Sequence, residues 1–485
     1  MKTSPFKYLL QSKNNYYLGI FVLVFLFSFL TFFVRGYYKK ISFISGDEPH
    51  YIMMTDSLVK DNDFNLKNDY ILGRSSSYYD GANLMPHVPI SLDIKGNKWY
   101  SIHTIGLPFL YYLPYKLFGV IGVRIAVCLV QIMAVYLFFL ILKKYIVDRT
   151  KVLIGLLLIV SCSLFWQNFG GLFPDLIMVT FLGASILLFG KKSLLSNLIF
   201  MLIIFSGTLM HTKMAVLLAP IYIAHLIQLI RGLGFRKFVA LYAGLLFILV
   251  VGLYMYIRFL YINYGVFSPT GLYGNNGQLF SANLITNSIA IITDRVKGLL
   301  IYYPVLAIMG VYLVRAAQAL QVSIKKVLKI KYISPELLLG LGVFLGSLML
   351  LATQLGFTDW SGSYAPNGRY MLVFVFILVF LMSKYLNFHN TFEKITVIFF
   401  ILLNFIVSIL TSVFLTHYTE VTSGLKRVNQ IFFINTFPSF KPISAQTNTS
   451  HVARGLGIIV MVIIFNIVLF YAFSKAGKSK ITQKL

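Results

Sequence analysis

Twelve apolar runs, each near the length that crosses a bilayer, recur from about residue 16 to about residue 473. A helix needs roughly 20 such residues to span the hydrocarbon, because it rises about 1.5 Å per residue and must satisfy its own backbone there. The runs fall at about 16–34, 121–142, 152–168, 174–190, 194–210, 214–230, 238–258, 298–316, 335–355, 369–384, 394–415 and 453–473. Of the 485 residues, 58% are hydrophobic and 12% charged, more apolar surface than a soluble fold hides. The pattern predicts an all-α integral membrane protein, a single polytopic domain over residues 1–485. The first run exceeds the apolar part of a signal peptide and lacks a small-residue cleavage site, so it is expected to stay as a helix.

A net charge of +27 would fit nucleic acid if it lay on one face, but it does not. Lys and Arg cluster in alternate short loops: Lys143, Lys144, Arg149 and Lys151; Lys191 and Lys192; Arg231, Arg236 and Lys237; Lys325, Lys326, Lys329 and Lys331; and Lys475, Lys478, Lys480 and Lys484. Such loops are expected on the cytoplasmic side, and an even number of spans returns both termini there. No nucleic-acid partner is expected. Cys128 and Cys162 both lie inside apolar runs, which leaves neither a disulfide framework nor a Cys-based metal site.

Three outer segments are long, at about 35–120, 259–297 and 416–452. Within the first, residues 49–60 place Tyr51, Ile52, Leu58 and Val59 on one helical face and read as a helix lying on the membrane surface. Residues 106–119 are apolar but interrupted by Pro108 and Pro114, and read as a piece that dips into the interface without crossing. The triplet Asn448-Thr449-Ser450 fits an N-glycosylation acceptor, a pattern that also arises by chance.

Ionisable residues gather at the outer ends of the spans. Ser45-Gly46-Asp47-Glu48-Pro49-His50 follows the first span, and Asp47 there is either a plain helix cap or a general base. Asp175 follows Pro174 at the start of the fourth span, where an unpaired carboxylate is costly. His211-Thr212-Lys213 marks the turn between the fifth and sixth spans, Arg295 and Lys297 precede the eighth, Arg369 opens the tenth, and His103 lies late in the first loop. Singly, each reads as an interfacial anchor; acids and cations repeated at one level read as a site. No Gly-rich phosphate loop or Ser-nucleophile motif is visible, so a nucleotide is not expected as direct substrate. A lipid-linked activated group would supply the energy instead.

The order of Gly46-Asp47-Glu48-Pro49-His50-Tyr51, His103-Thr104-Ile105-Gly106-Leu107-Pro108, Phe173-Pro174-Asp175, His211-Thr212-Lys213, Gly298-Leu299-Leu300-Ile301-Tyr302-Tyr303-Pro304 and Gly368-Arg369-Tyr370 resembles the GT-C glycosyltransferases. Within them it is similar to the protein O-mannosyltransferase and aminoarabinose transferase group, glycosyltransferase family 39. The resemblance covers roughly residues 16–385, and His103 departs from the group's His-Pro-Pro form, with Thr104 and Ile105 in place of prolines. It implies a GT-C-type bundle of about 12 transmembrane helices with interfacial helices in a large first outer loop. It also implies a polyprenyl-phosphate sugar donor, a lipid, glycan or protein acceptor, and transfer of a hexose or pentose to a hydroxyl at the non-cytoplasmic face of a bacterial cytoplasmic membrane. Carried over, Asp47 is the essential first-loop acid, Asp175 the second acid and Arg369 a donor-phosphate contact; Lys213, Arg295, His211 and His103, read from their place at the outer ends of the spans, are further binding candidates. Glu48 is assigned to positioning or to a metal. No particular cofactor is called for, and a divalent metal stays possible: carboxylates and His are present, but no ligand spacing specific to one metal occurs. The alternatives are a multi-pass transporter or lipid flippase, and a surface polysaccharide polymerase or ligase.

Overall fold

The structure is a computed structural model, and it describes residues 47–79, 84, 99–168, 171–267, 284–294, 298–330, 333–356, 369–388, 390–414 and 449–482. The first apolar run, Arg295, Lys297 and Asn448 lie outside the described residues. The helices are α1 (Glu48–Lys60), α2 (Lys67–Ile71), α3 (Gly106–Tyr145), α4 (Arg149–Val160), α5 (Ser163–Asn168), α6 (Pro174–Leu188), α7 (Leu194–Met210), α8 (Thr212–Leu233), α9 (Phe235–Tyr264), α10 (Leu284–Thr293), α11 (Leu299–Tyr302), α12 (Met309–Ile330), α13 (Pro335–Gly356), α14 (Leu372–Tyr385), α15 (Thr391–Phe414) and α16 (Thr449–Thr482). Single 3-10 turns cover Arg74–Ser77, Pro304–Ile308 and Arg369–Met371.

Seven helices among the described residues are long and apolar enough to cross a membrane: Gly106–Tyr145, Thr212–Leu233, Phe235–Tyr264, Pro304–Lys325, Pro335–Gly356, Thr391–Leu410 and Ser450–Ser474. The chain is therefore a multi-pass helical membrane protein. Apolar side chains stand exposed along α9 and α16, among them Phe247, Ile248, Val250, Ile464 and Ile467, as expected where lipid is the solvent. Other expected spans are shorter: α6 has 15 residues, α7 has 17 and α14 has 14.

Two expectations need correction. The run 152–168 is two helices, α4 and α5, broken at Ser161–Cys162. Neither Gly nor Pro marks the break, but its freed carbonyls are all met: Trp166 Nε1 donates to Val160 O, Tyr303 Oη to Leu158 O and Ser408 Oγ to Ser161 O. That is the condition for irregular backbone at membrane depth. Within α3, Phe118 and Gly119 leave the helical conformation, Gly119 taking φ +60°, so residues 106–117 form a helical piece of their own ahead of the apolar run at 121–142, and the chain passes Pro114 without a break. Finally, α1 does not lie on a lipid surface. It is buried from Glu48 to Ser57 and packs along α3, because Ile52, Met53 and Met54 face protein on more than one side.

Elsewhere α3 packs along α6, α8 along α13 and α7, and α12 along α14 and α16. The α8–α13 contact is the closest: a Cβ at Gly346 would lie 2.2 Å from Leu217 O, and one at Gly342 would lie 3.0 Å from Ile221 Cα. The Gly342-x-x-x-Gly346 spacing gives α13 a smooth face, which is how helices approach without hydrophobic drive in lipid.

Candidate functional site

The beginnings of α1, α6 and α8, the 3-10 turn Arg369–Met371 and the irregular chain ahead of α3 converge on one region, and each delivers a polar residue. α6 starts at Pro174, which has no N–H to satisfy and a φ already suited to a first turn, so Asp175 stands at the mouth of the helix. Lys191 and Lys192 follow its opposite end, as Arg231 closes the helix that Lys213 opens. The acids and the basic loops thus occupy opposite ends of the same helices.

Asp47 occupies the N-cap position of α1 but makes no side-chain capping bond. The cause is its backbone: φ −81° and ψ −12° are helical, whereas a capping side chain needs an extended residue. Asp148 and Ser193, which are extended, do cap α4 and α7. The Asp47 carboxylate, 31% exposed, lies instead with Oδ2 3.6 Å from Arg369 Nη2.

Arg369 is buried between two acids. Its Nε lies 3.9 Å from Asp175 Oδ2, and neither of those atoms has a hydrogen-bond partner among the described residues. Its guanidinium carbon sits 4.2 Å from the Phe173 ring centroid and 4.6 Å from that of Tyr370, whose hydroxyl accepts from Nη2 at 2.6 Å. Aromatic faces on a desolvated guanidinium hold its plane while leaving its edges to anions. Lys213 Nζ lies 3.5 Å over Tyr370 and donates to Gln354 Oε1 at 2.7 Å, from the far end of α13.

His211 caps α8 through its ring, Nδ1 accepting from Lys213 N at 3.0 Å. Burial, and after it the charges of Lys213 and Arg369, push its pKa well below the ordinary histidine value. It is a neutral ring with its proton on Nε2, and it offers a donor, not a charge.

His103 reaches the site through local chain contacts. Leu66 N donates to Trp99 O and Trp99 N to Asn65 Oδ1, fixing residues 99–103 beside the α1–α2 turn. Thr104 Oγ1 donates to Met210 O at 2.5 Å, and Gly106 presses on the end of α7, where a Cβ would lie 2.4 Å from Met210 N. The threonine that replaces a proline in the resembled motif therefore ties His103 to the His211 turn. The His103 ring lies 4.8 Å from Tyr51 and 5.6 Å from His50, and His50 Nδ1 meets the Tyr70 hydroxyl at 2.9 Å.

The structure brings Asp47, Asp175, Arg369, Lys213, His211 and His103 into one neighbourhood. Glu48 is adjacent but buried, with Oε1 accepting from Leu172 N at 2.6 Å. Phe173, Tyr370 and Gln354 also belong to the site. Their only sequence signals were adjacency to Asp175 and Arg369, and, for Gln354, a lone amide near the end of an apolar run. Among the described residues, no three His, Cys, Asp or Glu side chains gather as a group that could hold a metal ion. No family model, curated protein or solved structure matches the chain. The chemistry of the site is the guide to what it does.

Proposed function

We propose that this chain is a GT-C-type membrane glycosyltransferase that moves a sugar from a polyprenyl-phosphate donor to a hydroxyl acceptor at the non-cytoplasmic face of the membrane. The observation that carries the reading is the placing of Arg369 between Asp47 and Asp175, beside Lys213, at the end of the helices opposite the basic loops. The reading includes twelve spans and cytoplasmic termini, and it rests on the motif order as well as on this geometry.

Asp47 takes the proton of the acceptor hydroxyl as that oxygen forms a bond to the anomeric carbon. The bond from that carbon to the phosphate oxygen breaks, and its electron pair leaves with the phosphate. A phosphate is already a good leaving group, so it needs cations more than an acid; Arg369 and Lys213 supply them. Asp175 holds the other edge of the guanidinium and keeps it aimed. One displacement inverts the anomeric centre. Aromatic walls and the scarcity of solvent at Arg369 strengthen each of these electrostatic contacts.

The test is product analysis after supplying purified protein in liposomes with a panel of polyprenyl-phosphate sugars, without ATP or an ion gradient. Consumption of one donor with an inverted product is expected. If no donor is consumed while a solute or lipid crosses the bilayer under a gradient, the chain is a transporter or flippase and the proposal is wrong.

A further inference from the structure

Two buried side chains that the transfer step does not use converge on one residue, Leu172. Residues 171–173 precede α6 without regular hydrogen bonding. Phe173 is the N-cap residue of α6 and makes no side-chain cap, and Pro174 has no N–H to donate, so the entry to α6 cannot hold itself. The bonds come from elsewhere. Glu48 Oε1, from the first residue of α1, accepts from Leu172 N at 2.6 Å. Tyr111 Oη, from α3, donates to Leu172 O at 3.1 Å, and Gln131 Nε2 reaches Gly171 O at 3.4 Å. Glu48, Tyr111 and Leu172 are all buried.

We propose that Glu48 and Tyr111 are positioning residues: they grip the backbone of Leu172 at its N–H and its C=O and so fix Asp175 against Arg369. The inference rests on the transferase reading for its catalytic consequence, though the grip itself does not. Consecutive residues on a helix project about 100° apart, so Asp47 and Glu48 face different partners. Asp47 meets Arg369 directly, and Glu48 meets the irregular segment that leads into Asp175. The adjacent acids divide the labour of proton transfer and scaffolding, and the role of Glu48 needs a hydrogen-bond acceptor, not a negative charge. Glutamine keeps that acceptor; leucine does not.

The experiment reads backbone amide exchange over residues 171–175 by mass spectrometry, together with kcat and donor KM, in detergent. In Glu48→Leu, exchange at Leu172 speeds up, since a buried amide loses its partner. Its kcat falls on the order of 10²-fold, as misplacement by about 1 Å does, while donor KM rises by less than the roughly tenfold expected when the Arg369 fork is lost outright. Glu48→Gln keeps slow exchange and most of the turnover. Tyr111→Phe, which removes only a hydroxyl, falls between the two. Unchanged exchange in Glu48→Leu overturns the grip, and a Glu48→Gln enzyme with slow exchange but the turnover of Glu48→Leu overturns the positioning role in favour of charge. If exchange follows the expected pattern while the wild type transfers no sugar from any donor, the transferase reading fails and the grip stands.

Discussion

The guanidinium of Arg369 faces two carboxylates at 3.6 and 3.9 Å, too long for hydrogen bonds and short enough for strong attraction in a desolvated setting. An anionic ligand that competes for its edges is therefore met by a charge already buried and braced by rings. Arg369→Lys keeps the charge but loses the fork, so donor KM should rise about tenfold with the fold intact; unchanged donor kinetics would remove Arg369 from the site. A second residue-scale prediction concerns Asp69, which is fully buried, bonded to Arg74 at 2.7 Å and pushed up by burial to about 6. The folded state then holds its proton more tightly than the unfolded chain, whose value is near 3.9. Its stabilising contribution is present below about pH 4 and is lost as pH rises towards and through 6. Thermal unfolding of wild type against Asp69→Asn across pH 4–7 should show the wild type losing stability relative to the variant over that window. Parallel curves would contradict it. Of the site, Asp47, Asp175, Lys213 and Arg369 were legible in the sequence because ionisable side chains at span ends are expensive and rare. The part Glu48 plays was not, because it depends on a backbone N–H 124 positions away.

Helix positions were legible to within a few residues wherever an apolar run met a Pro or a basic loop, as at Pro174, Pro335 and Lys191. What escaped was whether a run stays continuous, because the break at Ser161–Cys162 is made by donors from Trp166, Tyr303 and Ser408 and not by a local breaker. The burial of α1 also escaped, since its partner α3 begins 46 residues after α1 ends. Close helix pairing is what brings Lys213 of α8 to Gln354 of α13. A side chain at Gly346 must push α8 away, so Gly346→Val should cost about 1–3 kcal/mol and weaken donor binding through Lys213. Gly340, which has open space around its Cβ position, should accept Ala without either effect. Thermal unfolding and donor affinity of the two variants check this; equal behaviour would mean the close approach is not limiting.

At the scale of the whole molecule, the account requires one orientation, with the acids on the far side of the membrane from the basic loops. Val147, fully exposed between α3 and α4, should be labelled as an introduced cysteine only from the cytoplasm, and the exposed Ser76 only from outside. Labelling of both from one side would separate the site from lipid-phosphate chemistry at the outer face. Asp47 is the proposed base of a sugar transfer, and Asp47→Asn removes the base while keeping the shape of the side chain. Asn is nearly isosteric and Asp47 makes no capping bond to lose, so the fold should survive, at a cost of up to about 1 kcal/mol for the lost attraction between Arg369 and a carboxylate that is 31% exposed. Asn cannot take a proton. With expression matched and the donor that the wild type consumes, turnover should fall on the order of 10²- to 10⁴-fold while donor affinity survives. A near-normal rate in Asp47→Asn would contradict the account.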